Sequence, residues 1–176
     1  MTGERTRERA KKKDAPTAGT VMQPLLSKGW VALHDVAWPG RPRASIDHVV
    51  FGPGGVFVIR RVGWSGRVDV QDGLLRQNGR TRDKVVGDAA EAARAVAEAM
   101  GGVEATAVVC VERDEPIEAW ADDVLVCSPS KLVALLASLP ETMDEATVAR
   151  HEHRSPTTLP PSAVPRSMRS GRWWSR

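Results

Sequence analysis

The sequence predicts a single α/β domain with a mixed β-sheet flanked by helices and with disordered basic tails. Three observations favour this fold class. The 176 residues suit one domain with some length left for tails. The predicted elements run helix, several antiparallel strands, long helix, two strands and helix, an order typical of an α/β sandwich rather than a Rossmann repeat. No apolar run reaches the ~18 residues of a membrane span, so no transmembrane segment is expected.

The first half of the chain is predicted to be mainly β-structure. A short helix is expected from about 17 to 28, kinked or delayed by Pro24. The strands that follow are predicted at 30–37, 44–52 and 56–61. The "PGG" run at 53–55 supplies the turn between the last two. An Asp-Gly pair at 72–73 predicts a further hairpin, because it separates the strand-like runs "GRVDV" and "LLRQN".

The second half is predicted to alternate helices and strands. The strongest helix spans 81–102, where apolar residues recur at helical spacing and a Gly-Gly pair provides a C-terminal stop. Buried strands are expected at 104–112 and 123–128, and helices at 128–140 and 142–150.

Both ends are predicted to be tails on a folded domain that spans residues 16–150. Residues 1–15 form a charged, basic segment without apolar periodicity, which is typical of disorder. Residues 151–176 combine Pro, Arg, Ser and Thr with Trp173 and Trp174, and we expect a flexible tail whose role the sequence leaves open. The N-terminus lacks the apolar region of a signal peptide, so a cytoplasmic location is expected.

The net charge of +3 hides an uneven distribution along the chain. Residues 41–84 contain nine basic and four acidic side chains, whereas residues 85–150 contain four basic and thirteen acidic ones. A polyanion would meet the first region and the tails, not the acidic half. If they share a surface, these residues are candidates for contacts with a phosphate backbone: Arg41, Arg43, Arg60, Arg61 and Arg67. Ordinary solvated surface charge is the alternative.

The cysteines and histidines do not predict a metal site. Cys110 and Cys127 lie in apolar strand-like runs without CxxC spacing, so we expect two buried, reduced thiols. His48 has no Ser or Cys partner pattern and is expected to be packed or hydrogen-bonded.

The stretch "IDHVVFGPGGVFVIRRVGWSG", residues 46–66, carries the main functional signal. Together with the preceding "GWVALHDVAWPGRPRAS" and the following "DGLLRQNGR", it resembles the nuclease-related domain (NERD) family, which is similar to the PD-(D/E)XK nuclease superfamily. The resemblance covers about residues 17–150. It implies a restriction-endonuclease-like fold and Mg²⁺-dependent phosphodiester hydrolysis, in which carboxylates hold the metal and a lysine assists the chemistry.

Residue by residue, this chain departs from the family pattern. Asp47 matches the first acid of the family and is the candidate catalytic residue. Arg60 stands at the position of the second acid, Val62 at that of the lysine, and Thr20 where the first helix commonly supplies a glutamate. The "WSG" at 64–66 matches the family, which supports this register.

The resemblance therefore implies a nuclease fold whose chemistry has been lost. We expect no metal or other cofactor, with Mg²⁺ relevant only if the site is active. We expect Asp47 and Arg60 to attract each other as an ion pair. One alternative is that this ion pair has only a structural role. The other is that Arg60 also binds a phosphate group. Relocated ligands such as Asp69 or Asp72 are the route to retained cleavage, although Asp72 suits a turn.

We predict a catalytically degenerate nuclease-like module, a pseudoenzyme, that binds DNA or RNA or else a partner protein. One alternative is an active metal-dependent DNA/RNA nuclease with relocated site residues. The other is a non-enzymatic interaction module that docks on anionic surfaces through its basic tails. The sequence leaves open the choice between DNA and RNA, any specificity and the oligomeric state.

Overall fold

The computed structural model describes residues 17–165. The predicted basic tail at 1–15 and the tryptophans at 173 and 174 lie outside the described residues. Within 17–165, no helix is long and apolar enough to cross a membrane.

Strands and helices follow the predicted order. The strands are β1 (Val31–Trp38), β2 (Arg41–Gly52), β3 (Gly55–Val62), β4 (Val68–Gln71), β5 (Leu74–Gln77), β6 (Arg80–Thr81), β7 (Ala105–Val111), β8 (Glu118–Ala121) and β9 (Val124–Cys127). The helices are α1 (Ala18–Val21), α2 (Gln23–Leu26), α3 (Asp83–Ala99), α4 (Pro129–Ser138) and α5 (Glu145–Thr158). The single helix predicted at 17–28 is two short helices, because Pro24 suits the start of a helix and not its interior.

The main sheet is mixed, as predicted. Its six strands lie in the order β1-β2-β3-β7-β9-β8. The pairs β1–β2 and β2–β3 are antiparallel, β3–β7 and β7–β9 are parallel, and β8 pairs antiparallel with β9. The connection from β3 to the parallel β7 contains α3. Strand β8 was not predicted, because its four residues lie in an acidic segment without an apolar run.

Helices cover both faces of this sheet. The hydrophobic cluster on one face contains side chains from α3 and α5, and the cluster on the other contains side chains from α1, α2 and α4. Along β3, Val58 and Val62 belong to the α3 face, whereas Phe57 and Ile59 belong to the opposite face. Because side chains alternate along a strand, Arg60 is directed toward α3 and Arg61 toward the other face.

A second, three-stranded sheet has the order β4-β5-β6. Asp72 and Gly73 join β4 to β5 with φ angles of 53° and 74°. Both angles lie in the left-handed region that a two-residue hairpin turn of this kind requires, which Asp-Gly adopts readily. The predicted hairpin is therefore confirmed.

The C-terminal boundary of the domain lies beyond residue 150, where the flexible tail was predicted to begin. Helix α5 continues to Thr158, Leu159 is buried, and the Ala37 N–H of β1 donates to the Pro160 carbonyl over 2.8 Å. Pro156 has no N–H for the Glu152 carbonyl, but the Ser155 hydroxyl donates to that oxygen over 2.8 Å. Pro156, Pro160 and Pro161, which predict a flexible tail, are instead accommodated in the fold.

Candidate functional site

The candidate site lies at one end of the β2–β3 ladder, beside Asp47 in the middle of β2 and the arginines near the end of β3. The last ladder pair is His48 with Ile59. One residue beyond it, the Asp47 carboxylate accepts a hydrogen bond from the Arg61 N–H over 2.8 Å. Partial burial raises the pKa of Asp47 above its usual value, while the Arg61 N–H and the charges of Arg61 and Arg60 act in the opposite direction.

Arg60 is held on the α3 side of the sheet. Its Nη1 atom lies 3.6 Å from Oδ2 of Asp88, which also accepts a hydrogen bond from Lys84 Nζ over 2.9 Å. The side chains of Arg60 and Asp88 are only 16% and 12% exposed. Burial lowers the pKa of Arg60, and the negative charges of Asp88 and Asp47 oppose that shift. The guanidinium therefore pairs with Asp88, a partner that the sequence did not predict, and the negative charge of Asp47 acts on it in addition.

Val62 and Thr20 are the two other positions predicted to be degenerate. Val62 is a buried core residue under α3. Thr20 uses its hydroxyl within the first turn of α1, where it exchanges hydrogen bonds with Thr17. Over the residues that the structure describes, no group of three or more His, Cys, Asp or Glu side chains is placed to hold a metal ion.

Asp35 is a further carboxylate that sequence reasoning missed. The β1–β2 register pairs His34 with His48 and Val36 with Ile46, which places Asp35 opposite Asp47. Its charge raises the pKa of Asp47. Its φ angle of 52° is uncommon for a residue other than glycine, and its carbonyl accepts the Ser162 N–H over 2.7 Å. The available signal was an aspartate inside the apolar strand "VALHDVAW".

His48 is buried and hydrogen-bonded, as predicted. Its Nδ1 atom lies 2.7 Å from Nδ1 of the exposed His34, and the rings meet edge to face. Its buried Nε2 has no hydrogen-bond partner in the described structure. A buried N–H without a hydrogen-bond partner costs more free energy than a buried lone pair without one. This favours the tautomer in which His48 Nδ1–H donates to His34. Burial, then the charges of His34 and Arg61, lower the pKa of His48 to about 3.

The five arginines predicted to contact nucleic acid are distributed around this end of the sheet. Arg41 pairs with Glu91, Arg60 with Asp88, Arg61 with Glu112 at 3.4 Å, and Arg67 with Asp69 at 2.7 Å. Arg43 is exposed and has no carboxylate partner among residues 17–165. Four of the five positive charges are therefore already balanced by a neighbouring acid.

The proposed relocated acids and the cysteines do not join the site. Asp69 is bonded to Arg67 and Asp72 forms a turn, and both belong to the small sheet. Cys110 and Cys127 are register neighbours on β7 and β9, and both are free and buried, as predicted. Hydrogen bonding to Cys127 and burial raise the pKa of the Cys110 thiol, so it remains protonated and unreactive.

The structure is a single α/β domain with a six-stranded mixed sheet, an architecture consistent with a nuclease-like fold. The family model described as "Nuclease-related domain" (NERD) matches residues 16–113, which is more than half of the chain. The chain therefore belongs to the nuclease-related domain family, and the predicted resemblance is confirmed. No significant match was found among curated proteins or among solved structures.

Proposed function

We propose that this chain is a nuclease-fold module that binds nucleic acid without cleaving it. The observation that carries the proposal is the position of Arg60, which stands where the family has its second acid and is stabilised by Asp88 and Asp47. An arginine remains positively charged under all physiological conditions. It gives these carboxylates the counter-charge that a divalent cation would otherwise provide.

Metal-dependent cleavage is opposed by four features of this arrangement. The Arg60 guanidinium repels a cation that approaches Asp47. One oxygen of Asp47 is already bonded to the Arg61 N–H. Mg²⁺ dehydrates reluctantly and is bound through carboxylates in near-octahedral geometry, so a single, partly engaged carboxylate is a poor site. The buried Val62 cannot replace the ammonium group of the missing lysine.

Nucleic-acid binding is supported by the arginines at the same end of the sheet. Arg43 is exposed, and Arg41, Arg61 and Arg67 are paired at the surface, where an ion pair contributes about 0–1 kcal/mol. A phosphate group can therefore displace these carboxylates at small cost. Because such contacts are electrostatic, the binding is expected to be weak, insensitive to sequence and strongly dependent on salt.

The binding test uses fluorescently labelled DNA and RNA with the full chain at about 50 mM and about 200 mM salt. Arg43→Glu and Arg61→Glu should each lower the affinity and reduce the slope of affinity against salt by about one. Lys28→Glu is the matched control. Lys28 is exposed near Trp30, which packs on the turn at the opposite end of β2 and β3. Equal affinities for all these proteins would reject binding through this surface.

Two further experiments test the alternatives of retained cleavage and of binding through the tails. Plasmid and linear DNA incubated with Mg²⁺ or Mn²⁺ should stay intact; cleavage that Asp47→Ala abolishes would reject the inactive site. Cleavage that survives Asp47→Ala but is lost in Asp88→Ala would indicate a relocated site. If removal of residues 1–15 and 166–176 abolishes all binding, the folded domain is not the binding surface and the tails are.

A further inference from the structure

Strand β8 forms an open edge of the main sheet. It is the last strand in the order, and no described strand pairs with its outer side. The Ser128 N–H donates to the Ile117 carbonyl over 2.9 Å, which marks this pair as a hydrogen-bonded position of the β8–β9 hairpin. Such positions alternate along an antiparallel ladder. Ala119 and Ala121 therefore bond to β9, while Glu118 and Trp120 direct their N–H and C=O groups outward.

The opposite edge of the same sheet, which is formed by β1, is covered by another segment of the chain. There the chain itself lies beside β1, since Ala37 N–H donates to Pro160 and Ser162 N–H donates to Asp35. An isolated bridge between Val36 and Pro161 completes this contact. The fold thus pairs the β1 edge with an extended segment, whereas β4 contacts β8 without adding to the main sheet.

Trp120 makes the open edge apolar. The residue is 56% exposed, more than any other large hydrophobic residue in 17–165. Exposed edge strands are commonly protected by charged side chains or prolines that discourage pairing. A tryptophan on an edge strand instead favours pairing. Its outward N–H and C=O groups can bond to an added strand, and its indole can make an apolar contact with that strand.

The charge around this edge defines the complementary partner. Residues 114–123 contain five acidic side chains and no basic one. Glu115 and Glu118 have partners in Arg113 and Lys131, at 3.1 Å and 3.7 Å. Asp114, Asp122 and Asp123 are exposed and have no ion-pair partner in the described part of the chain. An extended segment that adds here meets negative charge at both ends of β8.

We propose that the β8 edge binds an extended basic peptide segment of a partner protein by strand addition. The outward backbone groups of Glu118 and Trp120 supply the hydrogen bonds. The indole of Trp120 packs on a large apolar side chain of the peptide, and the surrounding carboxylates attract its Lys and Arg residues. This surface is acidic and is distinct from the arginine-rich end of β2 and β3, so the proposal does not depend on nucleic-acid binding.

The test uses the full chain and the synthetic basic peptide RVKWRVK, with EVEWEVE as its charge-reversed control. We expect saturable binding of the basic peptide alone. Hydrogen exchange of the Glu118 and Trp120 amides should slow on binding, while the amides of Ala119 and Ala121, already bonded to β9, should change little. Equal binding of both peptides, or protection confined to other parts of the chain, would overturn the proposal.

Two substitutions at one position separate the apolar contact from the backbone contact. Trp120→Ala removes the indole and should weaken binding by at least about tenfold. Trp120→Pro also removes the outward N–H without removing a bond to β9, and should weaken binding further. Leu26→Ala is the matched control, since Leu26 is an exposed apolar residue on α2. If Trp120→Pro binds the peptide as tightly as the unmodified chain while remaining folded, strand addition at β8 is wrong.

Discussion

The Asp47 carboxylate accepts a hydrogen bond from the Arg61 N–H over 2.8 Å, one residue beyond the last ladder pair of β2 and β3. The side chain thus takes the place of the next backbone carbonyl in the ladder. Asp47 therefore has a structural function in this chain that requires neither a metal nor a second acid.

Replacement of Asp47 should test this structural function directly. Asp47→Ala leaves the Arg61 N–H without its acceptor and should lower the free energy of unfolding by about 1–3 kcal/mol. Asp47→Asn keeps an oxygen acceptor and should cost less. Urea denaturation measures both values. Asp69→Ala, which removes only a surface partner of Arg67, is the control and should change the stability by less than about 1 kcal/mol.

The raised pKa of Asp47 predicts the sign of a pH dependence in the stability of the domain. Burial raises its pKa above the ordinary 3.8, so the folded state holds the proton more tightly than the unfolded state. The stabilisation from protonation is complete below the unfolded pKa and is lost as the pH rises through the folded pKa. The Asp47→Asn variant cannot titrate, so its stability relative to the unmodified chain should increase from acidic pH toward neutral pH. A constant difference would contradict this.

Arg60→Glu should create a cation site from the existing carboxylates. Without metal, the variant should be less stable, because a third carboxylate then approaches Asp88 and Asp47. Millimolar Mn²⁺ should raise its melting temperature and leave that of the unmodified chain unchanged. Arg43→Glu introduces the same charge at an exposed position and is the control. No response of the Arg60→Glu variant to Mn²⁺ would show that the carboxylates do not converge.

His48 should make the domain sensitive to mild acid. Its pKa is lowered to about 3 from an ordinary 6.5, so the unfolded state binds a proton between these values and the folded state does not. The stability that is present above pH 6.5 is lost as the pH falls, by up to about 1.4 kcal/mol per pH unit. His48→Phe should flatten this slope in urea denaturations at several pH values. A variant of the exposed His153, His153→Gln, should retain it.

Gly52 should tolerate no side chain. A Cβ at this position would lie 2.4 Å from the ring of Trp30, which is buried. Gly52→Ala should therefore destabilise the domain by about 1–3 kcal/mol or more, as measured by thermal denaturation. Gly87→Ala is the matched control in α3, where a Cβ meets nothing within 4 Å. It should stabilise the helix by roughly 0.5–1 kcal/mol, and equal effects of the two substitutions would be inconsistent with this packing.

Truncation should locate the C-terminal boundary of the domain. Removal of residues 151–176 deletes the end of α5, uncovers the β1 edge and exposes the site of Leu159, which should cost at least about 2 kcal/mol. Removal of residues 166–176 alone should leave the unfolding midpoint unchanged. Equal stability of the two truncated chains would restore the boundary at residue 150.

Much of the fold was predictable because its signals are local. Each signal is formed by residues that are close together in the sequence. These signals are the β-branched runs of β2, β3, β7 and β9, the helical spacing of α3 and the Asp-Gly turn at 72–73. Strand β8 was not predicted because an edge strand needs no apolar run. The end of α5 was not predicted because a proline usually ends a helix, whereas here Ser155 donates to the Glu152 carbonyl that Pro156 cannot reach.

The sequence by itself determined the family, the mixed α/β architecture and the presence of Arg60 and Val62 at the end of β3, since these depend on residue identity and register. Only the tertiary structure decided which groups those residues meet. Asp88 is 28 positions from Arg60 along the chain, and Asp35 reaches Asp47 through strand pairing. Such neighbours depend on how α3 and β1 pack on the sheet, which no local pattern of residues encodes.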